Sequence, residues 1–448
     1  MKKQTGLLLS STSFFISTVI IYAARFLTSV IVARSLNVEG KGYYTLVLTV
    51  AHMLIMAVNM GINGTLTYFT ASQKFSPKVL LGFAIASALS LSILGSAIFL
   101  ILYKVILSNT LLQGLTLAHT WLVIAVLPVN LMTSFMMSIL MGLQQFLPYT
   151  LIDISRAVTN LAFQAAASLL ILGLPGALGA WVLSNAFAFI LTLCILIRYT
   201  SPTFRGFRLI FRPSLAYGIK SYIANLTSFF NYRLDTFLVN FYLGRESLGQ
   251  YTTGVSVAEF LWYLPNAISS VLFPKVSSLQ EKTAHLITAQ ACRITLSTMF
   301  PLALIFGVIG SFLIPVIFGE AFRPSVTPFL WLLPGIVALT ISKVIAANLS
   351  GIGKPQYSTY ISTSAIFATL VFDILLIPRM GIAGAAIASS IAYTLISGLS
   401  VFWFTRESHL PWRRVLIPSS SDLTFLGSRV LSIASRLASQ LRKSSPKV

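Results

Sequence analysis

The chain has 448 residues, of which 56% are hydrophobic and only 9% are charged, and its mean hydropathy is +0.86. Because a soluble domain carries roughly 25% charged residues, this composition excludes a soluble protein and indicates that lipid is the main solvent. The net charge of +21 comes from 31 Lys and Arg against 10 Asp and Glu, and these basic residues lie mostly between apolar runs, where positive-inside topology explains them better than nucleic-acid binding does.

Twelve apolar segments are long enough to cross a bilayer, whose hydrocarbon core takes about 20 helical residues. The first begins near the N-terminus and is too long for the core of a signal peptide, so we predict a retained span. The predicted spans lie at 9–33, 43–66, 78–103, 117–142, 149–173, 177–198, 215–242, 248–275, 293–318, 326–350, 356–378 and 382–405.

Lys and Arg are distributed unequally between the two sides of these spans. The N-terminus, the loops on its side and the C-terminal tail carry 20 of the 31 basic residues, whereas the opposite loops carry six. Since basic loops stay in the cytoplasm, we predict a multi-pass protein of the inner, cytoplasmic membrane with both termini cytoplasmic.

The C-terminal tail has a pattern of its own. Between 422 and 443, apolar residues recur at helical spacing, while Arg429, Arg436 and Arg442 lie off that stripe and Asp422 is placed to cap the start. This pattern predicts a basic amphipathic helix on the anionic lipids of the cytoplasmic leaflet. A disordered basic tail is the alternative.

An internal repeat organises the spans. Three pairs of segments match in the same order at nearly one offset: 36–51 with 243–258, 141–145 with 350–354, and 176–184 with 381–389. Because six spans separate the copies, the two halves share one orientation and are related by a pseudo-twofold axis along the membrane normal, with a cleft between them. Two bundles around a central cleft favour a transporter.

We therefore predict an all-α membrane protein with about twelve transmembrane helices in two six-helix bundles. The predicted parts are an N-terminal lobe at 1–198, a basic cytoplasmic linker at 199–214, a C-terminal lobe at 215–405 and a basic cytoplasmic tail at 406–448.

Ionisable residues inside the spans are candidates for function, because a charge at membrane depth is costly unless it is paired or hydrated. Arg25 lies in the first span and Arg233 in the seventh, at an offset one residue from the register of the repeat. Arginines at equivalent depth in both halves are expected to face the cleft, where guanidinium groups hold phosphate with paired, charge-assisted hydrogen bonds. The alternative is a structural ion pair for each.

The seventh and eighth spans supply the other candidates. Lys220 and Asn231 complete the predicted substrate-binding set with Arg233, while Asp235 and Glu259 are predicted to act as counter-ions or as acids that couple to cations. Arg233 and Asp235 are two residues apart, about 200° around a regular helix, so they cannot face each other.

Other membrane-depth charges receive a structural interpretation. Asp153 and Arg156 are three residues apart and are predicted to pair locally. Lys343 lies near a helix end and is predicted to extend toward the interface, with a similar reading for Asp373. The two cysteines and four histidines show no ligand spacing, so no metal site, cofactor or catalytic residue is predicted.

Several segments resemble the polysaccharide-biosynthesis flippases of the multidrug/oligosaccharidyl-lipid/polysaccharide exporter superfamily. The most specific is NYRLDTFLVNFYLGRESLGQYTTGVSVAEFLWYLPNAISSVLFPKVS at 231–277, and the stretches at 24–46, 141–149 and 351–358 are similar too. None of these is a catalytic signature. The resemblance therefore indicates a family and not a substrate.

What the resemblance implies is a flippase for an oligosaccharide on a polyprenyl pyrophosphate, working by alternating access of two lobes. In that reading Arg25 and Arg233 meet the pyrophosphate, while Asp235 and Glu259 tune the site or couple ions. The expected partners are the lipid-linked oligosaccharide, anionic lipids at the tail, and polysaccharide polymerases or glycosyltransferases, with the protein itself a monomer.

Three alternatives stay open at this point. A cation-coupled multidrug exporter of the same superfamily predicts a cavity dominated by acidic residues, and a flippase for the peptidoglycan lipid precursor predicts a similar cationic site. A membrane-embedded glycosyltransferase or polymerase needs a charged catalytic loop outside the membrane, and the loops here are short, so an enzyme is not expected.

Overall fold

The computed structural model describes the backbone of residues 2–419, apart from 106–109, 111, 113–114, 207 and 355, together with Asp422; it describes no side chain at 2–16, 220, 221 or 224. Across these residues the protein is helical and contains no strand. The amphipathic helix predicted at 422–443 lies outside the described residues except for Asp422, as does the side chain of Lys220.

Twelve α-helices and two short 3-10 helices make up this part of the chain. The first half contains α1 (Lys2–Asn59), α2 (Ile62–Ala71), α3 (Pro77–Val105), α4 (Leu117–Gly142), α5 (Phe146–Leu169), α6 (Gly173–Leu196) and α7 (Arg208–Ala258). After the 3-10 turn Glu259–Trp262 come α8 (Tyr263–Ser277), α9 (Glu281–Phe318), the 3-10 helix Glu320–Ser325, α10 (Val326–Gly351), α11 (Gln356–Ser408) and α12 (Trp412–Leu416).

Three of these helices are broken by a single residue in the left-handed region. Asn37 breaks α1 with φ 60°, Gly244 breaks α7 with φ 78°, and Gly381 breaks α11 with φ 61°. Glycine adopts this combination of positive φ and extended ψ without strain, whereas Asn37 adopts it at a cost. Each break falls where the sequence predicted a short loop between two spans, so these loops are kinks.

Eight helical stretches of the described chain are long and apolar enough to cross a membrane. They are Ser17–Asn59, Pro77–Val105, Leu117–Gly142, Gly173–Leu196, Asn225–Ser277, Glu281–Phe318, Glu320–Gly351 and Gln356–Ser408. Helix α5, which carries Asp153 and Arg156, corresponds to the predicted span 149–173 but is not among the eight. The all-helical membrane class is confirmed, while the count of twelve spans in two bundles stays a prediction.

The chain divides into two compact units. The first unit comprises Met1–Gly254, Leu313–Val326 and Phe372–Ala385, and the second comprises Val255–Phe312, Thr327–Val371 and Ala386–Val448. In the first unit α1 packs on α4, α5 and α6, and α2 and α3 pack on α4. A core that includes Leu272, Val344 and Phe404 holds α8, α10 and α11 together in the second unit. The lobe and linker boundaries expected from the sequence stay a prediction.

The internal repeat has a structural counterpart in the first unit. Asn37 and Gly244 are 207 residues apart, the offset of the matched segments, and both have ψ −174°. Gly42 and Gly249 share that offset and pack against each other: a Cβ on Gly42 would lie 1.9 Å from the carbonyl oxygen of Arg245, and one on Gly249 would lie 2.1 Å from that of Val38. This reciprocal contact supports the duplication.

The start of the C-terminal tail is fastened to the second unit. Arg293 Nε donates to Asp422 Oδ2 at 2.6 Å, and the Ser419 hydroxyl donates to the same oxygen at 2.7 Å. Hydrogen bonding to the Arg293 guanidinium holds the pKa of the buried Asp422 carboxyl well below its usual range. The Ser419 amide also donates to Asp422 Oδ2 at 2.9 Å, and the Asp422 amide donates to the Ser419 hydroxyl at 3.4 Å.

Candidate functional site

Basic side chains from three helices of the first unit gather around one histidine. Helix α1 supplies Arg25 and His52, α5 supplies Arg156, and α7 supplies Arg233. The charges of all three arginines act on the His52 ring. The structure therefore brings Arg25 and Arg233 into electrostatic range of the same group, and we call these four residues the cationic cluster.

The side chains of the cationic cluster differ in their exposure. The His52 side chain is surrounded by protein and is nevertheless exposed, as is Arg25, while Arg156 and Arg233 are half-buried. Charged groups within membrane spans usually face the interior of a helix bundle or a water-filled cavity, because lipid solvates them poorly. We therefore expect the exposed surfaces of Arg25 and His52 to face such a cavity.

Arg156 of the cationic cluster is paired with an acidic residue on its own helix. Arg156 Nη2 donates to Asp153 Oδ1 at 2.7 Å, which confirms the local pair predicted from their spacing. Arg156 also reaches His52, a role that the spacing did not indicate. Guanidinium groups present several N–H donors in one plane, which suits an anion with several oxygen acceptors.

Two buried carboxyl groups form a separate acidic pair in the first unit. Asp235 on α7 is 4% exposed and Asp373 on α11 is fully buried. Tyr251 donates to Asp235 Oδ2, and the Thr236 amide donates to Oδ1 at 2.6 Å. Neither oxygen of Asp373 has a hydrogen-bond partner in the described part of the chain, and the charge of Asp235 acts on it.

Such a pair is unfavourable when both groups are ionised. Like charges in a poorly solvated place repel each other, and the repulsion falls when a proton or a cation lies between them. No set of three or more His, Cys, Asp or Glu side chains within the described residues is placed to hold a metal ion.

The second unit contains a different polar group. Glu259 opens the 3-10 turn between α7 and α8, and the charge of Lys343 lies within its range. Lys343 Nζ donates to Asn266 Oδ1 at 3.1 Å and lies 4.8 Å from the centroid of the Trp262 ring. Lys343 thus packs on an aromatic ring, and its extension toward the membrane interface stays a prediction.

The two remaining candidate residues for substrate binding both lie on α7. Asn231 is buried on α7 two residues before Arg233, and Lys220 lies on the same helix with its side chain outside the described residues. Sequence reasoning missed His52 and underrated Asp373. The same feature of the sequence could have identified both. Each is an ionisable side chain inside an apolar helix, where such a group is costly and therefore a candidate for function.

Comparison with known proteins identifies relatives of this chain. The family model described as "Polysaccharide biosynthesis protein" matches residues 7–280. An uncharacterized membrane protein of Methanocaldococcus jannaschii is 26% identical over 48% of this chain and 44% of its own length. "Probable low-salt glycan biosynthesis flippase Agl15" of Haloferax volcanii is 21% identical over 43% and 41%, and "Probable flippase AglR" of the same organism is 27% identical over 38% and 37%. The matches thus span less than half the length of these curated relatives.

Solved structures share the fold. The lipid II flippase MurJ in an inward closed conformation superposes with a TM-score of 0.65 and 14% identity, covering 89% of this chain and 90% of that one. An inward-facing multidrug resistance transporter of the MATE family superposes with a TM-score of 0.66 and 18% identity, covering 88% and 98%. Neither these proteins nor the two named flippases are enzymes. The chain has the fold of the exporter superfamily, and by its match over residues 7–280 it belongs to the polysaccharide biosynthesis protein family.

Proposed function

We propose that this protein is a flippase that moves a polyprenyl-pyrophosphate-linked oligosaccharide across the cytoplasmic membrane for surface polysaccharide biosynthesis. The observation that carries the proposal is the cationic cluster, in which Arg25, Arg156 and Arg233 approach His52 from three helices. Membership of the polysaccharide biosynthesis family and the names of two relatives support the same substrate class.

The cationic cluster has the chemistry that a diphosphate needs. Each guanidinium presents a planar set of donors that matches two phosphate oxygens, and it stays charged at every physiological pH. Arginines on α1, α5 and α7 would bind the diphosphate from different directions. They would fix its position without contacting the sugar. The hydrated space beside them would receive the oligosaccharide, while the prenyl chain stays in lipid.

We further propose that the acidic pair couples transport to an ion. Arg233 and Asp235 point to opposite sides of α7, because two residues correspond to about 200° of rotation. A proton or cation shared by Asp235 and Asp373 would draw α7 and α11 together on one side of α7 and shift Arg233 on the other. Glu259, with Lys343 near it, is the second candidate for a coupling acid.

The other functions weighed for this fold are less well supported. A cation-coupled multidrug exporter gains support from the acidic pair and from the MATE structures, but three arginines in the hydrated space would repel a cationic drug. A flippase for the peptidoglycan lipid precursor would use the same diphosphate chemistry, and only the transported sugar separates it from our proposal. A membrane-embedded glycosyltransferase or polymerase gains no support from the relatives.

Several companion proposals belong to this function. Two lobes would alternate between sides of the membrane, with both termini and the 199–214 linker in the cytoplasm. The basic tail after Asp422 would lie on anionic lipids of that leaflet. A monomer would be the working unit, in contact with polysaccharide polymerases or glycosyltransferases.

The proposal is tested by flipping of a fluorescent undecaprenyl-pyrophosphate oligosaccharide in proteoliposomes. Arg25→Gln and Arg233→Gln each remove charge-assisted bonds of about 1.5–3 kcal/mol, so we expect the rate to fall by about tenfold or more. Lys104→Gln, an exposed lysine at the end of α3, serves as the matched control and should transport normally.

Three outcomes would contradict the proposal. Normal flipping rates in both arginine variants would show that Arg25 and Arg233 do not bind the diphosphate. Faster transport of a cationic dye than of the glycolipid by the unsubstituted protein would favour a drug exporter. Transport restricted to lipid II would assign the protein to peptidoglycan synthesis.

A further inference from the structure

A second cavity in the first unit lies outside the cationic cluster. It has a volume of about 480 Å³ and is formed by the end of α1, the first residues of α2, the middle of α3 and the start of α7. That volume falls within the range of about 300–1,000 Å³ for ligand pockets. Most of the lining is apolar, including Met60, Phe83, Leu91, Phe211 and Leu215.

One charged residue lines this apolar cavity. Arg208, the first residue of α7, contributes to the wall and is exposed. Arg205 and Arg212 lie on either side of it in sequence, and both are exposed as well. These arginines sit where the polar linker meets a helix that then enters the apolar part of the chain. A positive group at the end of a hydrocarbon-lined cavity complements an amphiphile with an anionic head.

A buried hydroxyl supplies a second and independent indication of a ligand. Ser214 lines the cavity and is 2% exposed, and its Oγ has no hydrogen-bond partner in the described residues. Its backbone carbonyl is already engaged, because it accepts from the Thr65 hydroxyl at 3.2 Å. A buried hydroxyl without a partner is unfavourable, and an acceptor oxygen on a bound molecule would satisfy it.

The order of these groups along α7 discriminates between lipids. Ser214 follows Arg208 by six residues, about 9 Å along the helix axis, and Phe211 and Leu215 lie between and beyond them. A glycerophospholipid has the same order: a phosphate, then the oxygens that link its chains to glycerol, then hydrocarbon. A polyprenyl phosphate has no oxygen below its phosphate and would leave Ser214 without a partner.

We propose that this cavity binds an anionic glycerophospholipid of the surrounding membrane, with the phosphate on Arg208, a glycerol-linkage oxygen on Ser214, and one chain along Phe83, Leu91 and Leu215. The site is separate from the one that receives the transported lipid. A resident lipid there fills a gap between α3 and α7 that protein side chains leave open.

Binding is measured on the detergent-purified full-length protein by native mass spectrometry with phosphatidylglycerol and with phosphatidylcholine of identical chains. We expect phosphatidylglycerol to bind at least about tenfold more tightly. Arg208→Gln should remove about tenfold of that affinity and Arg208→Lys less. Ser214→Ala should remove about fivefold, the worth of one hydrogen bond.

The control variant is Arg212→Gln, which removes a charge on the same helix from a residue that does not line the cavity, and we expect a change below about twofold. Ser87→Phe, which places a ring in the cavity, should abolish the tight binding; a melting curve without lipid shows whether it folds. Equal losses in Arg208→Gln and Arg212→Gln, or unchanged affinity in Ser214→Ala, would overturn the proposal. Tighter binding of undecaprenyl phosphate than of phosphatidylglycerol would also overturn it, and would assign the cavity to the carrier lipid.

Discussion

Helix α7 carries charges of opposite sign two residues apart, and the two serve different neighbours. Arg233 is half-buried within reach of His52, whereas Asp235 is buried, accepts from Tyr251 and lies within range of Asp373. A regular helix turns through about 200° between such residues, so one helix can take part in both groups. Any rotation of α7 therefore changes the positive and the negative group together.

The acidic pair leads to a prediction about stability. In Asp373→Asn one of two neighbouring charges is removed without changing the shape of the side chain, so the repulsion disappears. In a buffer of low ionic strength at pH 10, where both buried carboxyl groups are ionised, we expect the variant to melt at a higher temperature than the unsubstituted protein, by a few degrees for about 1 kcal/mol.

The unsubstituted protein should recover the difference when the pH is lowered or when a monovalent salt is added, because a proton or cation then lies between Asp235 and Asp373. Asp373→Asn should lack this response. Thermal unfolding followed by tryptophan fluorescence across pH and salt is the measurement. An equal response in both proteins would show that Asp235 and Asp373 bind neither a proton nor a monovalent cation. The same measurement on Glu259→Gln tests the other candidate acid.

At the scale of the element, the broken helices and the close helix crossing follow from small residues at particular places. Gly42 and Gly249 allow backbones to approach until a Cβ on either would overlap a carbonyl oxygen of the other repeat. Small residues are the usual means by which membrane helices approach closely. Here they lie five residues after the breaks at Asn37 and Gly244, so each repeat bends and then crosses its counterpart in the same way.

Adding a methyl group at this crossing should separate the two segments. We expect Gly42→Ala and Gly249→Ala each to destabilise the protein by about 1–3 kcal/mol, the range for overpacking. The double variant should lose less than the sum of the two, because both residues act on one contact. Thermal unfolding in detergent measures the change.

The matched control is Gly179→Ala in α6. No atom lies within 4 Å of a Cβ at Gly179, and alanine is the better helix former by up to about 1 kcal/mol. Its melting temperature should stay the same or rise. Comparable losses at Gly179 and Gly42 would mean that the effect comes from helix propensity or lipid contact and not from the crossing.

At the scale of the whole molecule, the placement of basic residues sets the expected direction of insertion. Lys354 lies on the side predicted to be cytoplasmic, where Glu407 and Glu281 accept hydrogen bonds from its ammonium and raise its pKa. Lys104 lies on the opposite side by the same rule. The positive-inside bias acts during insertion and leaves no separate contact in the folded protein.

Topology is tested in a variant that lacks Cys194 and Cys292, with one cysteine introduced at a time. A membrane-impermeant maleimide applied to intact cells should label Lys104→Cys and leave Lys354→Cys unlabelled until the membrane is opened. The reverse labelling pattern would place both termini outside the cell. It would contradict our proposal that the substrate enters from the cytoplasm.

Much of the architecture could be predicted from the sequence, because hydropathy and span length depend on the bilayer and not on tertiary contacts. The helical membrane class follows from residues local in the chain, and the internal repeat is visible from the matched segments. The sequence placed loops near 37, 244 and 381, where the structure has kinks. The family was also within reach, since the segment at 231–277 keeps a recognisable pattern. Arg25 and Arg233 were selected by their cost at membrane depth.

Only the tertiary structure decided which of these groups are neighbours. The approach of Arg156 to His52, the pairing of Asp235 with Asp373, and the cavity with Arg208 and Ser214 join residues from separate helices. Helical periodicity states which face a side chain occupies on its own helix, but the rotation and depth of each helix are set by packing against the others. Composition and periodicity therefore determined what crosses the membrane, and packing determined which charges meet there.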